Sequence, residues 1–311
     1  RKPVRVALPV AWRADRRPPG WANPHNGAMK TPKRLQPLLE DGLIDTVARQ
    51  LMSGKEATVF VVRRGEETMC AKVYKEADQR SFRQAVDYTE NRKTKNSRQA
   101  RAMAKGTRFG RQAREEAWQS AEVDALYRLA AAGVRVPRPH NFHEGGLLME
   151  LVADADGNAA PRLNDMAFTP EEARALHHGL VREVVRMLCA GVIHGDLSEF
   201  NILMGADGPV IIDLPQAVDA AGNNHAERML ERDVANLRTF FGRFAPELLA
   251  SDYGGEIWSL YAAGALRPDV PLAGVFERPR GAVDLASVQR EIEDIRLEEA
   301  ARLRRLQEAD L

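Results

Sequence analysis

Two short stretches in the middle of the chain place polar residues among strongly apolar ones. Residues 192–203 read VIHGDLSEFNIL, and residues 210–216 read VIIDLPQ. Asp196 and Asn201 are five positions apart, so a tight loop, rather than one extended strand, would direct both side chains at the same point. Asp213 follows a β-forming apolar run that could return its carboxylate to the place where Asn201 points. Carboxylate and amide oxygens that converge in this way suit Mg²⁺, which keeps substrate phosphates in its remaining coordination positions.

The composition of the whole chain is that of a soluble globular protein. It has 311 residues, of which 44% are hydrophobic and 29% are charged, enough for one large domain or two lobes with their own cores. No apolar run has the length of a membrane span, and the N-terminal stretch has no apolar signal-peptide core, so a cytoplasmic protein is expected. Cys70 and Cys189 both lie in apolar surroundings, and we expect two reduced core residues.

A net charge of +1 hides two basic segments. Residues 1–34 contain nine Lys or Arg and one Asp, and residues 79–114 contain eleven Lys or Arg, one Asp and one Glu. The rest of the chain is therefore strongly acidic. Basic segments of this kind are usually solvated surface. The more specific hypothesis is that they bind a polyanionic partner such as RNA.

The sequence pattern predicts a small β-rich part followed by helices. Residues 1–34 hold six of the 17 prolines and no periodic pattern, which indicates a disordered arm. The expected elements after it are a short helix and turn over 37–51 with Gly42 as helix stop, strands over 58–62 and 69–74, a mobile basic stretch over 79–112, a helix over 113–132 and a hairpin over 142–152 that turns at Gly145-Gly146. Further helices are expected from Thr169-Pro170 to about residue 188, over 225–241, and over 283–311, where helix docking on its own domain is favoured over a coiled coil.

Lys72 is isolated in an apolar strand, between Ala71 and Val73. A charge at a sheet edge is one explanation, but burying an unpaired ammonium group is costly, which favours a functional lysine. Glu122 on the following helix is its expected partner, with Glu115 and Glu116 as alternatives on the same helix. The order of these features along the chain resembles that of the protein kinase fold: a strand Lys, a helix Glu, a hairpin and then Asp196, Asn201 and Asp213. The predicted fold class is accordingly α+β and bilobal, with a small β-rich N-lobe that has one main helix and a helical C-lobe.

The motifs resemble those of the RIO kinases, atypical serine/threonine protein kinases and ATPases linked to maturation of the small ribosomal subunit. SGKEATVF (53–60) is similar to the phosphate loop of that family, DLSEFN (196–201) to its catalytic loop and IDLPQAV (212–218) to its metal loop. The resemblance covers about residues 35–250 and is closest to the branch without an N-terminal winged helix, although Gly195 and Pro215 are more typical of the winged-helix branch. It implies an N-lobe over 35–152, a C-lobe over 153–270 and a C-terminal extension over 271–311.

The resemblance implies a role for each matching residue. Lys72 would bind the α- and β-phosphates of ATP, held by Glu122, and Ser53, Lys55 and Glu56 would line the phosphate loop. The backbone of Glu150 and Val152 would hydrogen-bond adenine.

In the C-lobe, Asp196 would orient or accept the proton of the attacking group, and Asn201 and Asp213 would hold Mg²⁺ or Mn²⁺. His194 is expected to orient or pack rather than act as a base.

The chain has no DFG triplet, and little sequence follows Asp213 before the next helix. The resemblance therefore implies a trimmed kinase without a full activation segment, with slow ATP hydrolysis or autophosphorylation. Ribosomal RNA or a pre-ribosomal particle is the implied partner, through 1–34 and 79–114. A small-molecule phosphotransferase of the aminoglycoside or choline kinase type and a catalytically silent RNA-binding scaffold remain as alternatives, and the sequence leaves the oligomeric state open.

Overall fold

A five-stranded antiparallel sheet forms the N-terminal part of the fold. The computed structural model describes residues 31–54, 57–75 and 121–277. The strands are β1 (Thr46–Ser53), β2 (Ala57–Arg64), β3 (Glu67–Tyr74), β4 (Pro139–His143) and β5 (Gly146–Glu150), and their order across the sheet is β1-β2-β3-β5-β4. Since β3 lies in the centre, Lys72 is not an edge-strand charge.

The two faces of β3 pack against different partners because side chains alternate along a strand. Met69, Ala71 and Val73 form one core cluster with Leu35 and Leu38. The last two residues belong to the lead-in, a 3-10 turn (Lys33–Leu35) followed by helix α1 (Gln36–Glu40). This turn reaches two residues into the stretch predicted as a disordered arm.

The opposite face of β3 turns toward helix α2, which covers 121–131 in the described part of the chain. Tyr74 lies in the main core with Val123, Leu126 and Leu129 of this helix. Lys72 shares its face with Tyr74, so the alternation of the strand directs the lysine toward α2 and into the molecule.

The prediction of helix and turn up to residue 51 is wrong beyond Asp45, because Thr46–Ser53 forms strand β1. Burial alternates along most of this strand, as expected when one face of a sheet is covered. Register shifts between Val47 and Arg49 and between Gln50 and Met52 interrupt its pairing with β2. The sequence hides this alternation, because Arg49 occupies a half-buried position while Ala48 and Met52 occupy exposed ones.

The predicted hairpin is confirmed as β4 and β5, but its turn uses Glu144 and Gly145 rather than Gly145 and Gly146. Both residues have positive φ, 46° and 75°. A two-residue hairpin turn of this type requires positive φ at both positions, because only then does its twist match that of the strands.

The C-terminal part is built on three helices: α3 (Pro170–Cys189), α4 (Ala226–Phe241) and α5 (Tyr253–Ala262). The Thr169 side chain accepts a hydrogen bond from the Glu172 N–H, and the Glu172 side chain accepts one from the Thr169 N–H. This complete capping box fixes the start of α3. Short antiparallel pairs join them, β6 (Val192–Ile193) with β9 (Val218–Asp219), and β7 (Ile202–Gly205) with β8 (Gly208–Ile211). The expected α+β architecture with a β-rich N-lobe and a helical C-lobe is confirmed.

One cysteine differs from expectation. Cys70 is buried and Cys189 is exposed, and both are free thiols. Cys189 is the last residue of α3 and is rotated off the stripe of Val181, Val184, Val185 and Leu188 that faces the core.

Among the residues that the structure describes, no helix combines the length and the apolar character needed to cross a membrane. The expectations for the arm up to residue 30, for the basic stretch 79–114 and for a helix over 283–311 fall outside the described residues.

Candidate active site

Lys72 joins three elements of the fold through one ammonium group. Its Nζ lies 2.5 Å from Oε1 of Glu122 on α2 and 2.9 Å from Oδ1 of Asp213, two residues after β8. The structure thus brings together three of the predicted site residues, and Glu122 is the partner on α2. The two alternatives, Glu115 and Glu116, lie outside the described residues.

The two carboxylates keep Lys72 charged although it is buried. Burial by itself would lower its pKa, but Glu122 and Asp213 raise the pKa well above its ordinary value. For Asp213, burial opposes ionisation, while Lys72 first and then Arg162 lower its pKa below the usual range. Lys72 and Asp213 are therefore both ionised at neutral pH.

Asp213 has an unusual backbone. Its φ is 66°, in the left-handed region that few residues other than glycine adopt. Strain of this kind is found where a side chain must be held in one direction. The carboxylate of Asp213 contacts Lys72, and the side chain of Asp213 is 48% exposed.

Tyr74 supports this cluster and was missed at the sequence level. Its ring is fully buried, and its centroid lies 5.5 Å from Nζ of Lys72. Burial first and the Glu122 carboxylate second raise the pKa of its hydroxyl. The alternation of β3 was the available signal, since Lys72 and Tyr74 are two positions apart and share a face.

The loop that carries Asp196 is held through its backbone by α4. Asp233, fully buried, accepts hydrogen bonds from the Gly195 N–H at 2.8 Å and the Leu197 N–H at 2.9 Å. Arg232 donates to the Gly195 carbonyl, and Asn236 donates to the Leu197 carbonyl at 2.9 Å. Three side chains of one helix thus fix both peptide groups that flank Asp196.

Asp233 is the second residue that sequence reasoning missed. Burial raises the pKa of its carboxyl to about 7, although the two N–H donors act in the opposite direction. The signal was present in the helical pattern. Asp233 lies on the same stripe as the buried Met229, Leu230, Val234 and Leu237, and a carboxylate on the apolar face of a helix needs a partner.

Gly195 is required at its position. Its φ is 81°, and a Cβ there would lie 2.6 Å from Cε of Met229 and 2.7 Å from the carbonyl oxygen of Gln216. The methionine could move, but the carbonyl belongs to the backbone, so no larger residue fits without shifting the loop.

His194 connects the loop that carries Asp196 to the segment that carries Asp213. Its Nε2 lies 3.0 Å from the carbonyl oxygen of Ile212, and its Nδ1 accepts from the Asp196 N–H at 3.3 Å. These contacts fit a neutral ring with the proton on Nε2, and burial lowers the pKa of His194. The geometry agrees with an orienting residue rather than a base.

Asn201 is oriented by the same loop. Its Nδ2 donates to the Asp196 carbonyl at 2.8 Å, so the amide oxygen is the atom available for a metal ion. Its backbone carbonyl accepts from the Ile212 N–H at 3.0 Å. Asn201 and Asp213 therefore flank the paired strands β7 and β8 at their common end.

The oxygen donors of Asn201 and Asp213 fit a magnesium ion better than a softer metal. In the described part of the chain, no group of three or more His, Cys, Asp or Glu side chains is arranged to hold a metal ion. A site with two protein oxygens suits an ion that takes its other ligands from phosphate and water. The metal-binding role of these residues stays a prediction.

The remaining predicted residues lie at the two ends of the sheet, as far as the structure describes them. Oγ of Ser53 lies 3.3 Å from Oγ1 of Thr58, which closes the ends of β1 and β2, and the Gly54 N–H donates to the Ala57 carbonyl at 2.9 Å. Lys55 and Glu56, between these ends, fall outside the described residues.

At the opposite end of the sheet, Glu150 and Val152 connect the two lobes. The Glu150 side chain receives two hydrogen bonds from Arg135, at 2.9 Å and 3.0 Å, and one from the Arg138 N–H at 3.0 Å. The Glu150 N–H donates a hydrogen bond to the Arg138 carbonyl. The Ala160 N–H donates one to the Val152 carbonyl. Adenine would therefore bind through the Glu150 carbonyl and the Val152 N–H, which stays a prediction.

Comparison with known proteins identifies the family. Residues 58–253 match the RIO domain. The chain is 37% identical over 209 residues to the RIO-type serine/threonine-protein kinase Rio1 of Haloferax volcanii, covering 66% of this chain and 67% of that protein. It is 30% identical over 218 residues to the serine/threonine-protein kinase rio1 of Schizosaccharomyces pombe, covering 67% of this chain but only 41% of that longer protein.

Among solved structures, the chain is similar to the Rio2 kinase–ADP/Mg²⁺–phosphoaspartate complex from Chaetomium thermophilum, with 25% identity, a TM-score of 0.48, and coverage of 68% of this chain and 59% of that one. The RIO-domain match spans more than half of the sequence, with Lys72, Asp196, Asn201 and Asp213 all inside it. The chain belongs to the RIO family of serine/threonine-protein kinases.

Proposed function

We propose that the protein transfers the γ-phosphoryl group of ATP in a Mg²⁺-dependent reaction, with water and its own chain as the main acceptors. The observation that carries this proposal is the Lys72 ammonium group between Glu122 and Asp213, at 2.5 Å and 2.9 Å. This contact joins the central strand, α2 and the metal loop at the point where a triphosphate would lie.

Lys72 provides the positive charge for the α- and β-phosphates. Because its pKa is raised well above the ordinary value, it is charged before the nucleotide arrives. Glu122 holds the ammonium from the buried side, so Lys72 can exchange its contact with the more exposed Asp213 for phosphate oxygens. Ser53, Lys55 and Glu56 would cover the phosphates from the loop between β1 and β2.

Asn201 and Asp213 would hold the magnesium ion. When bound, Mg²⁺ neutralises negative charge on the transferring phosphoryl group. The hydrogen bond from Asn201 to the Asp196 carbonyl directs the amide oxygen of Asn201, and the left-handed backbone of Asp213 directs its carboxylate. Both ligands are thus oriented by the chain itself.

Asp196 would orient the attacking hydroxyl or water and accept its proton. Its position is fixed by the four backbone hydrogen bonds that Arg232, Asp233 and Asn236 make to the adjacent residues. A rigid loop matters here because a small displacement of a catalytic group is costly to the rate.

The segment after the metal loop is short, which favours hydrolysis and autophosphorylation over phosphorylation of peptides. Only residues 220–225 separate β9 from α4. No segment of this length could form the extended platform on which conventional kinases bind a peptide substrate.

We also propose a role in maturation of the small ribosomal subunit, with ribosomal RNA as the partner of the basic segments. The support is their charge, nine cations against one anion in 1–34 and eleven against two in 79–114. A charge density of this kind suits a phosphate backbone.

The fate of labelled γ-phosphate tests the proposal. Purified protein would be incubated with Mg²⁺ and γ-labelled ATP, alone and with small-subunit precursor particles. We expect slow release of inorganic phosphate, label on the protein itself and faster turnover with the particles. Rapid multiple-turnover labelling of generic peptides, or of an aminoglycoside, would contradict the proposal.

A further inference from the structure

Arg162 lies on the segment between the hinge and α3, and its backbone is fixed by the strand after the catalytic loop. It forms an isolated antiparallel bridge with Leu203 of β7. The preceding carbonyl, of Pro161, accepts from the Met204 N–H at 2.8 Å, and the next residue, Leu163, is fully buried. Arg162 therefore has a defined position although it belongs to no strand or helix.

The side chain of Arg162 lies on the same face of β7 as the side chain of Leu203. Residues opposite each other in an antiparallel pair share a face, so Arg162 lies on the side of Leu203. Leu203 packs against Val152, Ala160 and Val210, and Val152 is the hinge residue that would bind adenine. The side chain thus starts from the surface beneath the expected nucleotide.

The guanidinium group of Arg162 contacts the N-terminal sheet. Nη2 of Arg162 lies 3.1 Å from Sδ of Met52, on β1. Met52 directly precedes Ser53, where the phosphate loop begins. One side chain therefore reaches from the segment bridged to β7 to the strand that precedes the predicted phosphate loop.

A thioether is a poor partner for this group. A guanidinium has five N–H donors, and a thioether sulfur is a weak acceptor. In the ranges 31–54, 57–75 and 121–277, this contact is the one hydrogen bond that the Arg162 guanidinium makes.

We propose that Arg162 binds the phosphate chain of the nucleotide and exchanges its contact with Met52 for phosphate oxygens. The inference rests on the proposed function and assigns a second cation to the same site. Lys72 already has two carboxylate partners, so Lys72 alone does not balance the negative charge of a triphosphate. A guanidinium can bind two phosphate oxygens at once, which an ammonium cannot do with the same geometry.

The test is calorimetric titration of the full chain with Mg-ATP, Mg-ADP and adenosine. Arg162→Gln should weaken binding of both phosphate-bearing ligands by about tenfold or more, as expected for a charged hydrogen bond, and leave adenosine affinity unchanged. Arg162→Lys should retain part of the affinity. Arg64→Gln, at the far end of β2 from the phosphate loop, is the control and should bind all three ligands as the wild type does.

Met52→Leu provides an independent variant that leaves the cation in place. It removes the sulfur contact, so ATP affinity should stay the same or rise. ATP affinity of Arg162→Gln within twofold of wild type would overturn the inference alone, and so would an equal loss for ATP and adenosine, which would indicate a structural role. Wild-type protein that binds no ATP would overturn the proposed function and this inference with it.

Discussion

The two carboxylate partners of Lys72 differ in their exposure to solvent. The Glu122 side chain is 5% exposed and the Asp213 side chain 48%. A Coulomb interaction weakens as the local dielectric constant rises, so the contact with Glu122 is the stronger and more permanent one. Asp213 is the partner that can leave for a metal ion, while Glu122 keeps the ammonium in place.

At the residue scale, we predict strong coupling between Lys72 and Glu122. Lys72→Met leaves the Glu122 carboxylate buried without its cation, and the free energy of unfolding should fall by about 3 kcal/mol. The double variant Lys72→Met/Glu122→Met removes the uncompensated charge and should regain most of that loss. Urea denaturation of the wild type, both single variants and the double variant measures the coupling. Additive losses would show that the pair does not act as a unit.

The chemistry-bearing residues could be predicted where a polar side chain interrupts an apolar run. This is true of Lys72 in β3 and of Asp196, Asn201 and Asp213 around β7 and β8. Arg162 has no such signal, because its segment has no periodicity and its neighbours in space, Met52 and Leu203, are far apart in the sequence.

At the scale of elements, α4 decides how the catalytic loop is held. Its residues at positions 232, 233 and 236 contact the N–H and carbonyl groups on either side of Asp196. We therefore expect the helix to influence catalysis without contributing a group to the reaction. Asp233 is a positioning residue in this sense.

We predict that Asp233→Asn lowers kcat for ATP turnover by about 10- to 100-fold with little change in KM. The amide has one acceptor oxygen in place of two, so either the Gly195 or the Leu197 N–H loses its partner and Asp196 shifts. Steady-state kinetics separates the two parameters. Asp252→Asn is the matched control, because Asp252 caps α5 through the Gly255 N–H and Asn caps a helix equally well. An equal change in kcat for both variants would argue against a specific role of Asp233.

Elements whose structure is encoded by neighbouring residues in the sequence could be predicted well. Elements whose structure depends on contacts with distant parts of the chain could not. The Thr169-Pro170 start of α3 is encoded by a cap, an N1 proline and acidic residues in the first turn. β1 was missed because Arg49 lies on its half-buried face and Ala48 and Met52 lie on its exposed face, so polar and apolar residues do not alternate in the sequence. Its strand form depends on pairing with β2.

At the scale of the whole molecule, charge is distributed unevenly along the chain. The described body is flanked and interrupted by segments rich in Lys and Arg, and one of them, 79–114, connects β3 to α2. RNA binding to that segment would therefore act on the two elements that carry Lys72 and Glu122. The competing explanation is a solvated loop that balances an acidic body.

We predict that Lys93, Lys95, Arg98 and Arg101 contribute to RNA affinity through phosphate contacts. Replacing all four with Gln should weaken binding to ribosomal RNA and flatten the dependence of affinity on salt. The matched control exchanges Lys for Arg and Arg for Lys at the same four positions, which keeps the charge and should keep the affinity. Binding measured over a salt series decides the matter, and a wild-type affinity and slope in the Gln variant would exclude this segment as the RNA contact.

The most direct test of the central claim is ATP turnover by Asp213→Ala in the presence of Mg²⁺. Asp213 is both a partner of Lys72 and the proposed metal ligand, so its removal should reduce turnover to background while the unfolding midpoint shows an intact fold. Asp207→Ala, an exposed carboxylate in the turn between β7 and β8, should turn over ATP at the wild-type rate. Full activity of Asp213→Ala with Mg²⁺ present would contradict the assignment of this cluster as the site of phosphoryl transfer.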